Sequence, residues 1–269
     1  MPSIHPSAIV DQHAELAEDV VVGPFCHLHA GARIGAGTAL VSHVVVHGSC
    51  SLGARNIVHP FVVLGGVAQV NKLRNGEETP NPRGVVIGDG NVFREGVTVN
   101  ASSGSGSTRI GAQNLFMAGS HVAHDVVAGS HCVVANAVQL AGHVVVEDWV
   151  TFGGLAGVAQ HLHVGESAFV AAGAMCERDV PPYVIVQGDR ARVRALNVIG
   201  LERRAVPAES IAHLRRAVAR LWKSEEAWAS ALASLDRSDP WVAALAGWLA
   251  DPARQRKLPR RVPRVRSSE

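Results

Sequence analysis

Aliphatic residues, with an occasional Phe, recur at every sixth position along most of the chain. One run begins at Ile4 and ends at Leu64, and a later one begins at Ile110 and ends at Val170. A short run between them comprises Ile87, Phe93 and Val99. Neither the period of a helix nor that of a strand fits this pattern. A fixed period of six residues is typical of a hexapeptide-repeat solenoid, the parallel β-helix.

In such a coil, three short strands joined by tight turns form a triangular rung of about eighteen residues. One side chain per hexad points inward and stacks on its counterpart in the next rung, ~4.8 Å away. The twenty-five hexads of the chain predict roughly eight rungs. We therefore expect residues that are eighteen positions apart to lie in one column. The period leaves the handedness of the coil open.

The composition fits a slim aliphatic core, because hydrophobic residues make up 47% of the chain, aromatic residues only 4%, and 27 residues are Gly. A net charge of +2 implies no strong field for nucleic acid. The four cysteines show no CxxC spacing, which favours reduced, buried thiols in a cytoplasmic protein over a disulfide framework or a zinc site. Since the repeat begins at Ile4 and no apolar run reaches transmembrane length, we expect neither a signal peptide nor stable membrane insertion.

Two polar segments, residues 65–86 and 100–109, interrupt the six-residue period. Both are rich in Gly, Asn, Ser or Pro, as surface loops are. In a solenoid, insertions collect on one side, which is often the binding side. For each loop the alternative is an insertion that the fold merely tolerates.

The chain changes character after the repeat, where the adjacent prolines Pro181 and Pro182 end strand pairing. We therefore divide it into a β-helix domain, residues 1–190, and a helical domain with a basic tail, residues 191–269. The tail from 254 to 266 carries seven basic residues. It is either a solvated segment or a site for an anionic partner.

Apolar residues return at helical spacing from Pro207 onward, with this proline in the first turn of a first helix. Ser224 is the expected N-cap of a second helix that ends near Leu235. Asp239 opens a third helix that runs through Leu249. Four of the five tryptophans lie in this region, where we expect them to pack a small domain. That domain would cover the open end of the solenoid and its unpaired strand edge.

One group among the fourteen histidines carries the candidate chemistry. The repeat forms two adjacent columns, one of Asp125, His143 and His161 and one of His124, Gly142 and Gln160. A His beside a carboxylate is a suitable general base near neutral pH. The alternative is a set of exposed polar corner residues. The pairs His27/His29 and His161/His163 are weak evidence of a metal site, because two positions on one strand do not make a ligand set.

At these residues the chain resembles the bacterial UDP-N-acetylglucosamine O-acyltransferases that open lipid A biosynthesis. The matching stretches are residues 5–10, 23–26, 42–46, 120–125, 135–144, 179–185 and 200–204. They cover the solenoid and enter the helical domain. Hexads alone would indicate only a superfamily, whereas His124 and Asp125 together with the Ala-Gly-His stretch at 141–143 are much more specific.

The resemblance implies a mainly β fold, a left-handed parallel β-helix with a C-terminal α-helical domain, assembled as a homotrimer with active sites between neighbouring coils. It implies transfer of an (R)-3-hydroxyacyl group from acyl carrier protein to the glucosamine 3-hydroxyl of UDP-N-acetylglucosamine. His124 would be the general base, Asp125 would orient it, and the Gly142 N–H would bind the thioester oxyanion. No metal or other cofactor is implied, because the thioester is already activated.

The resemblance also implies a set of substrate-binding residues: Gln69, Lys72, His121, His143, Gln160, Asn197 and Arg203. Ala172 falls near the position that limits acyl length. A side chain larger than Gly there should shorten the acyl pocket, which favours a medium-length chain.

Four positions depart from the family pattern: Val70, Asn100, Ala159 and Ile199. The family has acidic residues or histidines there, at sites that contact the sugar or the nucleotide. The departures leave room for a divergent acyltransferase that acts on another nucleotide sugar, for example one with an amino acceptor. Two further alternatives are a zinc-dependent carbonic anhydrase-like enzyme and a non-catalytic hexapeptide protein.

Overall fold

The computed structural model describes residues 1–70, 84–104 and 106–252 as a parallel β-helix that ends in a group of short helices. The coil is left-handed and has about nine turns. Its three sides are sheets, which we name faces A, B and C. The fold class predicted from the repeat and the resemblance is confirmed.

Face A contains β1 (Ser3–Ile4), β4 (Val21–Val22), β7 (Ala39–Leu40), β10 (Ile57–Val58), β13 (Val92–Phe93), β16 (Leu115–Phe116), β19 (Val133–Val134), β22 (Thr151–Phe152), β25 (Phe169–Val170), β27 (Val184–Gln187) and β28 (Arg192–Leu196). Face B contains β2 (Ile9–Val10), β5 (His27–Leu28), β8 (Val45–Val46), β11 (Val63–Gly66), β14 (Thr98–Asn100), β17 (His121–Val122), β20 (Gln139–Leu140), β23 (Gly157–Val158) and β26 (Met175–Cys176).

Face C contains β3 (Glu15–Leu16), β6 (Arg33–Ile34), β9 (Cys50–Leu52), β12 (Val85–Ile87), β15 (Thr108–Ile110), β18 (Val127–Ala128), β21 (Val145–Val146) and β24 (His163–Val164). The helices are α1 (Val198–Arg203), α2 (Ala208–Lys223), α3 (Trp228–Ala233) and α4 (Pro240–Ala250).

Strands of one face pair in parallel with partners eighteen residues away, as the column arithmetic predicts. Val122 pairs with Leu140, Leu140 with Val158, and Val158 with Cys176, and all four side chains are buried. The run of aliphatic residues and Phe at every sixth position ends at Val170, but Cys176, six residues later, also points inward. The coil is therefore slightly longer than the eight rungs predicted.

The two interruptions of the period are insertions at the same corner of the coil. Residues paired on neighbouring rungs are normally eighteen positions apart in the sequence. The distance in sequence is 35 between Leu64 and Val99 and 23 between Val99 and Val122. The first insertion thus adds 17 residues and the second adds five. Both lead from face B to face C, the first between β11 and β12 and the second between β14 and β15. The expectation that insertions collect on one side is confirmed, although residues 71–83 lie outside the described residues.

Inward side chains fill the coil from one rung to the next. Phe93 and Phe116 are completely buried, and their rings stack with centroids 5.1 Å apart. A second buried column is polar, because Asn91 Nδ2 donates to Asn56 Oδ1 at 3.0 Å and Asn114 Nδ2 donates to Asn91 Oδ1 at 2.9 Å. These hydrogen bonds satisfy the buried side-chain amides, whose burial without a partner would cost free energy of folding.

All four cysteines are unpaired and buried in the coil. Burial raises the pKa of Cys50, Cys132 and Cys176 to about 12 and also raises the pKa of Cys26. At neutral pH the thiols therefore stay protonated and act as small core residues. Buried, unpaired thiols are confirmed, and the cellular compartment stays a prediction.

Beyond the coil, face A continues through an antiparallel hairpin. Strand β27 pairs in parallel with β25 and antiparallel with β28, so the sheet extends to Leu196. The predicted boundary between residues 190 and 191 falls inside this hairpin. The division into two domains stays a prediction.

Two of the three predicted helix starts agree with the structure. Helix α2 begins directly after Pro207, and α4 begins after Asp239, whose carboxylate accepts from the first N–H groups of the helix. The prediction that Ser224 caps the second helix is wrong. Ser224 follows the last residue of α2 and donates its hydroxyl to the Arg220 carbonyl at 2.6 Å, while α3 begins only at Trp228.

The tryptophans pack the helices together and against the end of the coil. Trp248 Nε1 donates to Glu147 Oε1 at 3.1 Å, and the rings of Trp241 and Tyr183 lie edge to face at 5.5 Å. These contacts agree with a helical segment that covers the last turns. Within the described ranges, no helix combines the length and the apolar character that crossing a membrane requires.

We expect Phe93→Ala to lower the free energy of unfolding by about 3–5 kcal/mol, because it removes a buried ring and leaves a cavity beside Phe116. Chemical denaturation followed by circular dichroism measures the effect. The matched control is Phe61→Ala, whose ring is 64% exposed at a corner and whose loss should cost less than about 0.5 kcal/mol. Equal losses in the two variants would contradict the inward assignment of Phe93.

Candidate active site

The candidate site lies along the corner between faces B and C, where three consecutive rungs turn. The turns are residues 123–125 between β17 and β18, 141–143 between β20 and β21, and 159–161 between β23 and β24. A groove of about 460 Å³ follows this corner and adjoining parts of face B. Its lining comprises Gln69, His121, Ala123, His124, Gln139, Leu140, Ala141, Gly142, Gly157, Val158, Ala159, Gln160, Met175, Cys176 and Glu177.

The centre of the site is the pair His124 and Asp125. His124 Nδ1 lies 2.8 Å from Asp125 Oδ2, and only 8% of the imidazole and 12% of the carboxylate side chain is exposed. A carboxylate can only accept, so the hydrogen between them belongs to Nδ1. The lone pair of His124 therefore resides on Nε2.

Gly142 occupies the next rung directly beneath the imidazole. A Cβ at this position would lie 2.6 Å from Cε1 and 2.7 Å from Nε2 of His124, closer than any side chain tolerates. The close approach of ring and backbone therefore requires Gly. Its neighbours Ala141 and His143 donate their N–H groups to Val158 and His124 carbonyls, but the Gly142 N–H has no backbone acceptor in the part of the chain described.

The short inserted loop after β14 holds the carboxylate of Asp125. Ser102 Oγ donates to Oδ1, Ser103 Oγ donates to Oδ2 at 2.7 Å, and the Ser103 N–H donates to Oδ2 at 3.1 Å. Of the two interpretations open for residues 100–109, the structure favours a part of the binding side over a tolerated insertion. Sequence reasoning missed both serines.

These contacts control the charge of Asp125. Burial alone would raise its pKa, but the hydrogen bonds from Ser102, Ser103 and His124 outweigh burial and hold the pKa well below its usual range. The group therefore remains a carboxylate throughout the neutral and mildly acidic range. A fixed negative charge beside His124 favours an imidazolium that forms during proton transfer.

The column below Asp125 contains His143 and His161, as predicted. Their rings stack with centroids 4.5 Å apart, and His143 meets His124 edge to face at 84°. His143 Nε2 lies 3.7 Å from Asp125 Oδ2. All three corner residues have left-handed backbones, with φ of 61° at Asp125, His143 and His161. This conformation aims their side chains away from the core.

His121 stands on face B one residue before the inward Val122. Thr98 Oγ1 lies 2.7 Å from its Nδ1. Burial, with a smaller contribution from His124, lowers the pKa of His121. At neutral pH it therefore presents an uncharged imidazole to the groove, suited to hydrogen bonding with a neutral sugar group.

His124, Asp125 and His143 also have the composition of a metal site, since one ligand atom of each lies within 4.8 Å of the others. Their hydrogen bonds favour a different use. Nδ1 of His124 and both oxygens of Asp125 already bind one another or Ser102 and Ser103. An imidazole held in this way has a free Nε2 for proton transfer without any change in these hydrogen bonds.

The two weaker histidine pairs face different partners. His27 and His29 stack on each other at 4.2 Å, and stacked rings cannot aim their lone pairs at one ion. His161 stacks on His143, whereas His163 Nε2 lies 2.7 Å from Glu147 Oε1. Neither arrangement supports a metal site at these pairs.

Three of the family departures lie near the groove. Ala159 lines it beside Gln160, and Gln69 also lines it. Asn100 is buried one rung before Ala123, and its Nδ2 donates to the Val67 carbonyl at 3.1 Å. Val70 follows Gln69, and Lys72 lies outside the described residues. Ile199, the fourth departure, is exposed on α1.

Three predicted substrate residues lie away from the groove of the single chain. Ala172 is exposed on the turn between β25 and β26, and Arg203 is exposed at the end of α1. The Asn197 side chain accepts from the Gly200 N–H at 3.2 Å and donates to the Ser167 carbonyl at 2.9 Å. Asn197 therefore caps α1, and its role as a ligand residue stays a prediction.

Sequence reasoning also missed Arg204, which fixes α1 to the end of the coil. Its guanidinium lies 2.7 Å from Glu166 Oε1 and donates to Ser167 Oγ at 2.6 Å. The rings of Trp149 and Trp241 lie on it at 5.2 and 5.3 Å. Such stacking is a stabilising use of Arg that spacing along the chain does not reveal.

The site thus combines an oriented imidazole with a backbone donor. His124 lines the groove, its Nε2 lies close to Gly142, and this nitrogen has the lone pair that a general base needs. The Gly142 N–H, which has no backbone acceptor among the described residues, can serve as an oxyanion donor. A hydroxyl placed at Nε2 would lose its proton as it attacks a carbonyl whose oxygen points to Gly142. The arrangement suits acyl transfer from an activated ester.

Comparison with known proteins points to the same chemistry. A family profile described as UDP-N-acetylglucosamine O-acyltransferase, domain 2, matches residues 179–256. The acyl-[acyl-carrier-protein]–UDP-N-acetylglucosamine O-acyltransferase of Synechocystis sp. is 41% identical over 238 residues, covering 88% of this chain and 84% of that protein.

Solved structures extend the likeness to the whole fold. The UDP-N-acetylglucosamine O-acyltransferase of Moraxella catarrhalis superposes with a TM-score of 0.84 at 32% identity, covering 91% of this chain and 96% of that one. The UDP-N-acetylglucosamine acyltransferase of Bacteroides fragilis gives a TM-score of 0.86 at 28% identity, with 92% and 97% covered. The chain belongs to the family of acyl-[acyl-carrier-protein]–UDP-N-acetylglucosamine O-acyltransferases.

Proposed function

We propose that the chain transfers an (R)-3-hydroxyacyl group from acyl carrier protein to the glucosamine 3-hydroxyl of UDP-N-acetylglucosamine, the first step of lipid A biosynthesis. The observation that carries the proposal is the His124–Asp125 pair, whose imidazole is buried and packs against the backbone of Gly142. The names of the relatives supply the donor and the acceptor. The reaction needs no cofactor, because the thioester is already activated.

In the proposed mechanism His124 Nε2 takes the proton of the 3-hydroxyl while the oxygen attacks the thioester carbonyl carbon. The carbonyl oxygen becomes an oxyanion that the Gly142 N–H binds. Collapse of this intermediate re-forms the carbonyl and breaks the carbon–sulfur bond. The imidazolium of His124 returns the proton to the departing thiolate, and Asp125 stabilises the imidazolium between the two transfers.

The groove is lined by groups that suit each of the two substrates. Small and apolar groups, including Ala123, Ala141 and Cys176, suit an acyl chain. Polar side chains, among them Gln69 and Gln160, suit the sugar. In this assignment His121 and His143 bind the sugar or the diphosphate beside the base.

A homotrimer would bring the remaining predicted residues to the site. Ala172, Asn197 and Arg203 lie apart from the groove of their own chain, and they would reach the groove of a neighbour. Apolar side chains on the first rungs are exposed in the single chain, for example Phe25 to 60% and Ile9 to 63%. Their exposure supports an interface between copies of the chain that would bury them. The buried thiols support a place in the cytoplasm.

A second acceptor is a nucleotide sugar with a 3-amino group. The supporting observation is Asn100, whose Oδ1 is buried and accepts no hydrogen bond from the described residues. Asn100 stands one rung before Ala123 of the groove, where the family resemblance implies a histidine. The departures at Val70, Ala159 and Ile199 also alter positions that the family uses for the sugar or the nucleotide.

The direct test is mass spectrometry of the product formed from mixed acyl-carrier-protein donors with UDP-N-acetylglucosamine and with its 3-amino analogue. We expect one stable O-acyl or N-acyl UDP-sugar with a 3-hydroxyacyl group of medium length. Metal analysis of the same preparation addresses the carbonic anhydrase alternative. Acyl transfer to neither sugar, or activity that follows bound zinc, would contradict the proposal.

Replacement of the base should remove most of the activity. We expect His124→Ala to lower kcat by about 10²–10⁴-fold, because a positioned general base contributes that much. The control is His13→Ala, whose side chain is 70% exposed on the first rung and pairs with Asp11. Comparable loss in both variants would show that the effect is not specific to the proposed base.

Gly142 should not accept even one methyl group. We expect Gly142→Ala to lower kcat by at least about 10²-fold, because the new Cβ would push the ring of His124 away from the oxyanion donor. Steady-state kinetics and thermal melting are measured together. Gly247→Ala, a helical site with no atom within 4 Å of the added carbon, serves as the control. Full activity of Gly142→Ala would exclude this role for residue 142.

A further inference from the structure

We propose that Ser102 and Ser103 are positioning residues that hold the Asp125 carboxylate and thereby fix His124 for proton transfer. Both serines lie on the five-residue insertion between β14 and β15. The inference deepens the proposed function and rests on it for its kinetic readout. It gives a specific role to a loop for which the sequence left two interpretations open, the binding side and a tolerated insertion.

The hydroxyl of Ser102 has a fixed direction. The residue is 1% exposed, and its Oγ accepts a hydrogen bond from the Gly104 N–H at 3.1 Å. The hydroxyl proton is thereby left for the carboxylate, and Ser102 donates it to Asp125 Oδ1. A buried hydroxyl with one role as acceptor and one as donor rotates little.

Ser103 binds the other carboxylate oxygen through two groups. Its Oγ donates to Asp125 Oδ2 at 2.7 Å and its N–H donates to the same oxygen at 3.1 Å. Oδ2 is also the oxygen that accepts from His124 Nδ1 at 2.8 Å. The loop therefore sets the position of the atom that orients the imidazole.

The backbone of Asp125 is fixed from the next face. Its N–H donates to Thr108 Oγ1 at 2.8 Å, and Thr108 is fully buried at the start of β15. With φ at 61° the backbone aims the carboxylate outward, where it would rotate in water without further contacts. The serines remove this freedom by binding both oxygens at once.

The consequence for catalysis is a single tautomer and a single orientation of His124. Because Oδ2 is held, Nδ1 keeps its proton and Nε2 stays above Gly142. An enzyme whose catalytic imidazole is misplaced by about an ångström loses much of its rate of reaction. Loss of the serine hydroxyls should therefore slow the chemical step and leave substrate binding nearly intact.

The experiment is steady-state kinetics of Ser102→Ala, Ser103→Ala and the double variant. We expect the double variant to lose roughly 10- to 100-fold in kcat, with the KM of each substrate changed less than about threefold. Ser102→Ala should cost more than Ser103→Ala, because the Ser103 N–H still binds Oδ2 in the latter. Ser103→Thr keeps a hydroxyl and should restore kcat to within about twofold of wild type.

A double-mutant cycle with Asp125→Ala separates positioning from general support of the fold. Ala137 already has φ of 59° at an equivalent corner, so the coil accepts Ala in this conformation. In the Asp125→Ala background the serine changes should alter kcat by less than about twofold. Ser107→Ala, on the same loop, is the matched control and should leave kcat and the thermal midpoint unchanged.

An unchanged kcat in the double variant, or an equal loss in the Asp125→Ala background, would overturn the proposal. Two-bond proton–nitrogen spectra of His124 provide a readout that needs no substrate. We expect a pure Nδ1–H tautomer in the wild type and a mixture in the double variant and in Asp125→Ala. If the wild type acylates no UDP-sugar, the proposed function fails, and an unaltered tautomer would independently refute the positioning role.

Discussion

Hydrogen bonding from each rung to the next is the constraint on which the rest of the structure depends. Ile9 N–H donates to the Cys26 carbonyl and His121 N–H to the Val138 carbonyl, and the same pattern repeats along the described coil. Outside the two insertions these bonds place each residue beside the one eighteen positions later, so each side chain stacks on the same few neighbours. A shift of one residue would turn inward residues outward, so the repeat tolerates whole insertions at corners but no slip within a strand.

This constraint also builds the active site. Residues at one corner of successive rungs stack about 4.8 Å apart, although the sequence separates them by a full turn. His124, Gly142 and Gln160 form such a column, and both insertions leave the coil at the same corner. The left-handed φ of Asp125 and His143 is a strained conformation that the paired strands on either side maintain. Rigid strands thus hold a polar corner at which acyl transfer can occur.

The sequence predicted the coil and the columns that bring His124, Gly142 and Gln160 together, because equal spacing has a direct geometric meaning. It could not predict that Ser102 and Ser103 reach Asp125, since the length of a loop does not specify its path. Ser224 was misplaced for a related reason. Its hydroxyl can cap the start of a helix or bind the carbonyl four residues earlier, and in the structure it does the latter. Asn197 caps α1, and its residue type does not distinguish this use from the predicted role in nucleotide binding.

The most direct test of the account is a crystal structure of the protein with its acylated UDP-sugar. The account predicts the oxygen that carries the acyl group within hydrogen-bond distance of His124 Nε2, and the acyl carbonyl oxygen directed at the Gly142 N–H. The imidazole should still contact Asp125 through Nδ1. A product bound on face A or C, or an imidazole of residue 124 turned away from the sugar, would contradict it.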